Sequence, residues 1–293
     1  MDIDRLKGTG VALITPFNED LSIDFQVLEN IISHVSGGNV DFLVVLGTTG
    51  ESSLLSLEEK TNIISFVRDK TDGRLPLVLG YGGINTAELV SGFSNFDFEG
   101  IDAILSVTPY YVKPTQNGLK QHYKAIADVS PVPVILYNVP GRTGVNMEPE
   151  TAVALASHPN IIGIKEASGK LFQTEEIIYR RPKDFLLYSG EDALTFHLMN
   201  LGADGVISVV ANAFPKEVNC IVNQNKTADS FLKATNSHFN LKVLTKAVFA
   251  DGNPCGIKYV LSKMGLCKNI VRLPLVPISA KTAEVIDREL LKL

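Results

Sequence analysis

Cysteine is scarce, and the three present, Cys220, Cys255 and Cys267, are odd in number and show no close-paired metal spacing. They read as reduced thiols of a cytosolic protein, and no metal site is expected. The five histidines, His34, His122, His158, His197 and His238, are scattered and lack the two-His helical pattern of zinc hydrolases. They are read as surface or helix residues without a catalytic role. No apolar stretch is long enough to span a bilayer. The opening Met1-Asp2-Ile3-Asp4-Arg5 carries acids where a secretory signal would carry only bases, so no export signal is read and a cytoplasmic location is expected. No basic stripe is visible and the formal charge is −5, which argues against nucleic acid as a main partner. A Gly-x-Gly-x-x-Gly after the first strand is also missing, which counts against an open doubly wound sheet.

What is present is an ordinary globular composition, 45% hydrophobic and 20% charged over 293 residues. Eight short apolar segments recur with helical patterns between them: Val11–Ile14, Phe42–Leu46, Leu75–Leu79, Ala103–Val107, Val132–Tyr137, Ile161–Ile164, Phe185–Tyr188 and Val206–Val210. Val27, Leu28, Ile31, Ile32 and Val35 share one helical face between a cap at Asp24 and Gly37-Gly38. Ser56-Leu57-Glu58-Glu59 has capping-box form, with Ile63, Ile64 and Val67 on the face to be buried. Pro149, after Glu148, suits a first helical turn. Such strand–helix repetition predicts a parallel sheet with right-handed crossovers, and eight units fit an α/β fold of the (β/α)8 TIM-barrel type. From about Asn225 the strand signal is lost. The expected division is therefore a barrel carrying the active site over 1–224 and a helical C-terminal appendage over 225–293.

One lysine stands out. Lys165 lies within Ile161-Ile162-Gly163-Ile164-Lys165-Glu166-Ala167, which reads as a buried strand. Burial strips an ammonium of hydration and disfavours the charged form, and a neutral amine in a dry pocket can form a Schiff base with a carbonyl. The alternative is a strand-end lysine that snorkels to water or pairs with a carboxylate. Gly163 shares the face of Lys165 and would leave room for a substrate or for the lysine stem, while Glu166 points the other way as a structural acid facing a helix.

Functional residues of such barrels sit at the C-terminal ends of strands. Strand two runs into Gly47-Thr48-Thr49-Gly50-Glu51, strand four into Thr108-Pro109-Tyr110-Tyr111, strand five into Tyr137-Asn138 and then Pro140-Gly141-Arg142-Thr143-Gly144, and strand six ends at Lys165. The Gly-Thr-Thr-Gly segment can hold a small carboxylate, or is a plain βα turn. Tyr111 and Tyr137 can pass protons, or simply fill the barrel mouth. Arg142 suits a carboxylate, or makes a surface ion pair.

With Gly47-Thr48-Thr49-Gly50-Glu51, Val107-Thr108-Pro109-Tyr110-Tyr111, Tyr137 through Gly144, Gly163-Ile164-Lys165-Glu166-Ala167 and Gly205-Val206-Ile207-Ser208-Val209 in this order, the chain resembles the dihydrodipicolinate synthase family of pyruvate-dependent class I aldolases over nearly its whole length. The resemblance implies that Lys165 forms a Schiff base with pyruvate, with Tyr137 as acid–base residue and Thr48 relaying protons between Tyr137 and Tyr111. In the family this last tyrosine reaches in from a neighbouring subunit. Thr49 would hold the pyruvate carboxylate, Ile207 would place its carbonyl near the reacting centre, Gly190 would line the substrate site, and Arg142 would bind the carboxylate of L-aspartate 4-semialdehyde. The resemblance further implies no metal or organic cofactor, and a homo-oligomer, a tetramer built from tight dimers.

Lyases of sialic acid or of 2-keto-3-deoxy sugar acids would share Lys165, Tyr137 and the threonine pair. The guanidinium of Arg142 favours a short amino-acid carboxylate over a polyol chain. A binding barrel without turnover is the reading from another class. Some family members are inhibited by lysine at a site using histidine and asparagine side chains, where this chain offers Leu57, Lys60 and Ile84. An apolar side chain cannot pair with an ammonium and Lys60 would repel it, so Tyr110 and Glu88 alone make a poor site and weak or absent feedback by lysine is expected.

Overall fold

Eight parallel strands close into a barrel in chain order: β1 Gly8–Ala12, β2 Phe42–Val45, β3 Leu77–Gly80, β4 Ala103–Val107, β5 Val134–Asn138, β6 Ile161–Glu166, β7 Leu186–Ser189 and β8 Gly205–Ser208. The computed structural model describes residues 3–224 and 227–293. Met1 and Asp2 lie outside the described residues, as does Asn225, where the helical region was expected to begin. Between strands run α1 (Phe25–Ser36), α2 (Leu57–Thr71), α3 (Thr86–Gly92), α4 (Gln116–Val129), α5 (Pro140–Thr143), α6 (Pro149–Leu155), α7 (Leu171–Arg180) and α8 (Thr195–Leu201). After β8 come α9 (Pro215–Val222), α10 (Ala228–Ala250), α11 (Cys255–Lys263) and α12 (Ala280–Leu290), with α10 packed against α9, α11 and α12. No described helix is long and apolar enough to cross a membrane.

The helix starts follow their local chemistry. Asp24 accepts from the Val27 N–H at the head of α1, Ser56 and Glu59 form the reciprocal capping box of α2, and Pro149 occupies the first turn of α6. Every expected strand is present, but β1 lies further toward the N-terminus than Val11–Ile14. Its glycines concealed it. A Cβ on Gly205 would come within 2.0 Å of the Gly8 carbonyl oxygen, so the β1–β8 seam closes too tightly for side chains. His122, on α4, is buried rather than superficial; a ring nitrogen meets the Thr86 hydroxyl at 2.8 Å, and burial pushes its pKa down to about 4.

Alternation along the strands sorts their side chains into two cores. Val44, Leu105, Ile135, Tyr188 and Ile207 pack inside the barrel, while Leu43, Val45, Ile104, Leu136, Ile164 and Leu187 pack under the helices. Leu6 joins the inner core, and its carbonyl accepts the Tyr188 hydroxyl at 2.8 Å, closing the N-terminal end. The cavities lie at the other end, where the strands stop.

Pairing between β5 and β6 slips by one residue: Val134 lies opposite Ile161, yet Ile135 lies opposite Gly163. The extra residue, Ile162, brings Lys165 into register with Tyr137. In a sheet of period two, a one-residue shift decides which face a side chain takes.

Candidate active site

Lys165 enters the barrel from β6, level with Tyr137 on β5 and Tyr188 on β7. It is 5% exposed, and its Nζ lies 4.4 Å from the centroid of the Tyr137 ring. Among the described residues it makes no hydrogen bond and no ion pair, so the snorkelling or paired lysine of the alternative reading is not found. Gly163 does not supply the room its position suggests. A Cβ there would lie 2.6 Å from the Leu186 carbonyl oxygen, so this glycine serves the close approach of β6 and β7.

Glu166 faces outward, as its position in the strand requires. Its carboxylate accepts from Asn138 Nδ2 at 2.9 Å, from the Ser168 N–H at 2.7 Å and from Gln173 Nε2 at 3.3 Å. Burial raises its pKa and these bonds oppose the rise. Asn138 in turn accepts from the Met147 N–H at 2.9 Å, so one outward-facing network holds the ends of β5 and β6 and the chain that follows β5.

A cavity of about 80 Å³ surrounds Lys165, lined also by Thr48, Thr49, Tyr137, Arg142 and Gly190. It shares Gly47, Thr48, Leu105, Tyr137, Val139 and Arg142 with a wider one of about 600 Å³. Thr48 and Thr49 sit on a tight 3-10 turn after β2, which ends in a left-handed Glu51. The Gly50 carbonyl in that turn accepts the Thr15 hydroxyl at 2.7 Å. Arg142 projects from α5 and donates from Nη2 to the Asn253 carbonyl at 3.2 Å. Gly190 follows β7; a Cβ there would meet the Ala167 Cβ at 2.6 Å, and its N–H donates to the Glu166 carbonyl at 2.8 Å.

Two expected residues stand apart from this group. Tyr111 is 87% exposed in a left-handed conformation, φ 66°, and does not line either cavity. Ile207 packs in the inner core, whereas Val209 lines the cavity around Lys165.

Four residues escaped the sequence reading. Glu191 and Asp192 follow β7, and Glu191 lines the cavity. Burial raises the Glu191 pKa, Asp192 adds to the rise, and the charges of Lys165 and Arg142 oppose it. Asp192 accepts from the Ser208 hydroxyl and from the Val209 and Val210 N–H groups at 3.0 and 3.3 Å, and burial raises its pKa against those bonds. Their adjacency after strand seven was the available signal. Phe249, at the end of α10, and Asn253, beyond it, also line the cavity, so chain after residue 224 helps to form it. No local pattern marks either of them.

The arrangement presents an unpaired amine beside three hydroxyls, with a guanidinium and one acid at the edge. The Arg142 guanidinium facing a confined space favours an anionic ligand, and an amine free of a partner among the described residues is available to a carbonyl. Among the described residues, no cluster of three His, Cys, Asp or Glu side chains could hold a metal ion.

Residues 5–292 match the model of the dihydrodipicolinate synthetase family. The chain is 50% identical over 289 residues to a 4-hydroxy-tetrahydrodipicolinate synthase of Parabacteroides distasonis, covering 98% of this chain and 97% of that protein. It superimposes on the dihydrodipicolinate synthase of Thermotoga maritima with a TM-score of 0.93 at 38% identity, covering 98% of each chain. A chloride-inhibited dihydrodipicolinate synthase of Acinetobacter baumannii, complexed with pyruvate, gives 0.91 at 38% identity and 97% coverage of both. From strand order to rim chemistry to full-length likeness, the chain belongs to the dihydrodipicolinate synthetase family.

Proposed function

We propose that this protein is a lyase that joins pyruvate to L-aspartate 4-semialdehyde through a Schiff base on Lys165, giving 4-hydroxy-tetrahydrodipicolinate for lysine and diaminopimelate biosynthesis. The observation that carries the reading is the unpartnered Lys165 amine over the Tyr137 ring, inside a cavity edged by Thr48, Thr49 and Arg142. The amine adds to the pyruvate ketone and water leaves, giving an iminium that draws electrons from the methyl group. Loss of a methyl proton gives an enamine, which attacks the aldehyde carbon. The semialdehyde amine then attacks the iminium carbon, closes the ring and displaces Lys165. No external oxidant or reductant is needed.

Tyr137 is the acid–base residue in this reading, and Thr48 its relay. Thr49 takes the pyruvate carboxylate, Arg142 that of the semialdehyde, and Gly190 borders the reacting centre, while Ile207 packs in the inner core and does not line the cavity. Tyr111, exposed and held in a conformation unfavourable for a bulky residue, suits insertion into a second copy of the chain. The assembly proposed is a tetramer of tight dimers in the cytoplasm. A barrel over 1–224 with a helical region over 225–293 is the proposed division, the latter lending Phe249 and Asn253 to the site.

Incubation with pyruvate and borohydride is expected to label the Lys165 peptide permanently, and addition of the semialdehyde is expected to yield the ring product. Cleavage of a sialic or 2-keto-3-deoxy sugar acid without ring product would replace this reading by that of a sugar-acid lyase; no adduct at all would leave only a binder. Free lysine is expected to leave the rate unchanged at submillimolar concentration. Leu57 and Ile84 are 53% and 43% exposed, and neither can pair with an ammonium. Strong inhibition in a rate titration with lysine would overturn that expectation.

A further inference from the structure

We infer that Asn253 fixes the Thr49 hydroxyl as a hydrogen-bond donor to the keto-acid carboxylate, so that chain beyond the eighth strand governs pyruvate affinity. The inference rests on the proposed Schiff-base chemistry at Lys165.

Thr49 and Asn253 are 2% and 6% exposed, and both line the Lys165 cavity. Asn253 Nδ2 donates to Thr49 Oγ1 at 3.0 Å. A hydroxyl has one proton to give and two lone pairs to receive. With an N–H occupying a lone pair, the Thr49 proton remains free, and among the described residues it meets no acceptor. Lys165 and Arg142 line the same space, and the Arg142 guanidinium keeps further N–H groups to donate, so the acceptor that suits all three is an anion.

Were the amide oxygen to face Thr49 instead, the hydroxyl would donate to it and nothing would remain for a ligand. The Asn253 backbone carbonyl accepts from Arg142 Nη2 at 3.2 Å, which holds its main chain beside the cavity, and among the described residues its Oδ1 is buried without a partner. A buried amide oxygen left unmatched is unfavourable, and such groups in native folds tend to mark function. Asn253 is thus a positioning residue: it acts on substrate through Thr49, and through its main chain it touches the guanidinium proposed to bind the second carboxylate.

The test compares Asn253→Ala with Asn253→Asp in the full chain, reading the pyruvate concentration for half-maximal borohydride labelling of Lys165, KM for each substrate, and Tm. Alanine removes the polarity but leaves the hydroxyl free to rotate; half-saturation is expected to rise roughly 10-fold. Aspartate is the closest in shape, yet places an acceptor against Thr49; a rise of roughly 100-fold is expected, with the semialdehyde KM moved by less than about 3-fold. A residue needed only for packing would give the reverse order, with aspartate the milder change. Should the aspartate variant not fold, a double-mutant cycle decides. In a Thr49→Val background, Asn253→Ala is expected to have no further effect on pyruvate. Additive effects in that cycle, or aspartate binding pyruvate as well as alanine does, would overturn the inference. Failure of the unaltered protein to label with pyruvate would remove the Schiff-base reading itself, and this inference with it. Normal labelling of the unaltered protein with unchanged variants would remove this inference alone.

Discussion

Lys165→Ala is expected to abolish borohydride labelling with pyruvate and to lower turnover by about 10⁴-fold or more, because the nucleophile that makes the iminium is gone. Lys165→Arg is expected to fail equally: a guanidinium keeps its charge and cannot form the imine. Stability should move the other way. Lys165 lies buried without a hydrogen bond or ion pair among the described residues, so its amine contributes desolvation cost and no compensating bond. Tm of the alanine variant should therefore match or exceed that of the parent, as is common where a site is held ready for a ligand. Full turnover in Lys165→Ala would sink the Schiff-base reading, and a large fall in Tm would show that the lysine is structural.

The barrel was legible because its signals are local. Most strands announce themselves in a short apolar run, and Asp24, Ser56 with Glu59, and Pro149 mark helix starts within one turn. Strand β1 was misplaced because Gly8 and Gly10 carry no apolar signal; what makes them strand residues is how closely β8 and the Phe42 ring approach them. The rim residues Thr48, Thr49, Tyr137, Arg142 and Lys165 were legible for the same local reason, each following directly from a strand. Asn253 was not, since its bond to Thr49 spans 204 positions. Nor did an apolar run around a lysine suffice as a criterion. Ile257-Lys258-Tyr259-Val260-Leu261 has the same form, and Lys258 is fully buried too. Lys258 sits on helix α11 and meets Glu51, whereas Lys165 sits on strand β6 and meets a cavity.

Lys258→Met is expected to destabilise the protein by about 3–5 kcal/mol, a fall in Tm of roughly 10 °C, because it leaves the Glu51 carboxylate as an uncompensated buried charge. Both side chains of the pair are fully buried. Glu51 Oε1 accepts from Lys258 Nζ and Oε2 from the Arg272 N–H at 3.0 Å. Lys258 also donates to the Ile270 carbonyl at 2.9 Å, and its ammonium stands 4.1 Å from the centre of the Phe17 ring. Burial lowers the Lys258 pKa while the charge of Glu51 and its hydrogen bond oppose that shift. Because Glu51 ends the turn that carries Thr48 and Thr49, its anchor to α11 holds the proposed carboxylate site as well as the fold. The single variant should accordingly lose pyruvate affinity along with stability. Glu51→Gln combined with Lys258→Met removes both charges, and urea unfolding should then recover most of the lost stability, since a buried pair replaced as a unit is close to neutral. Equal stability of the single and double variants would show that the loss comes from packing around Phe17 and Ile270, and that the ion pair does not hold the turn.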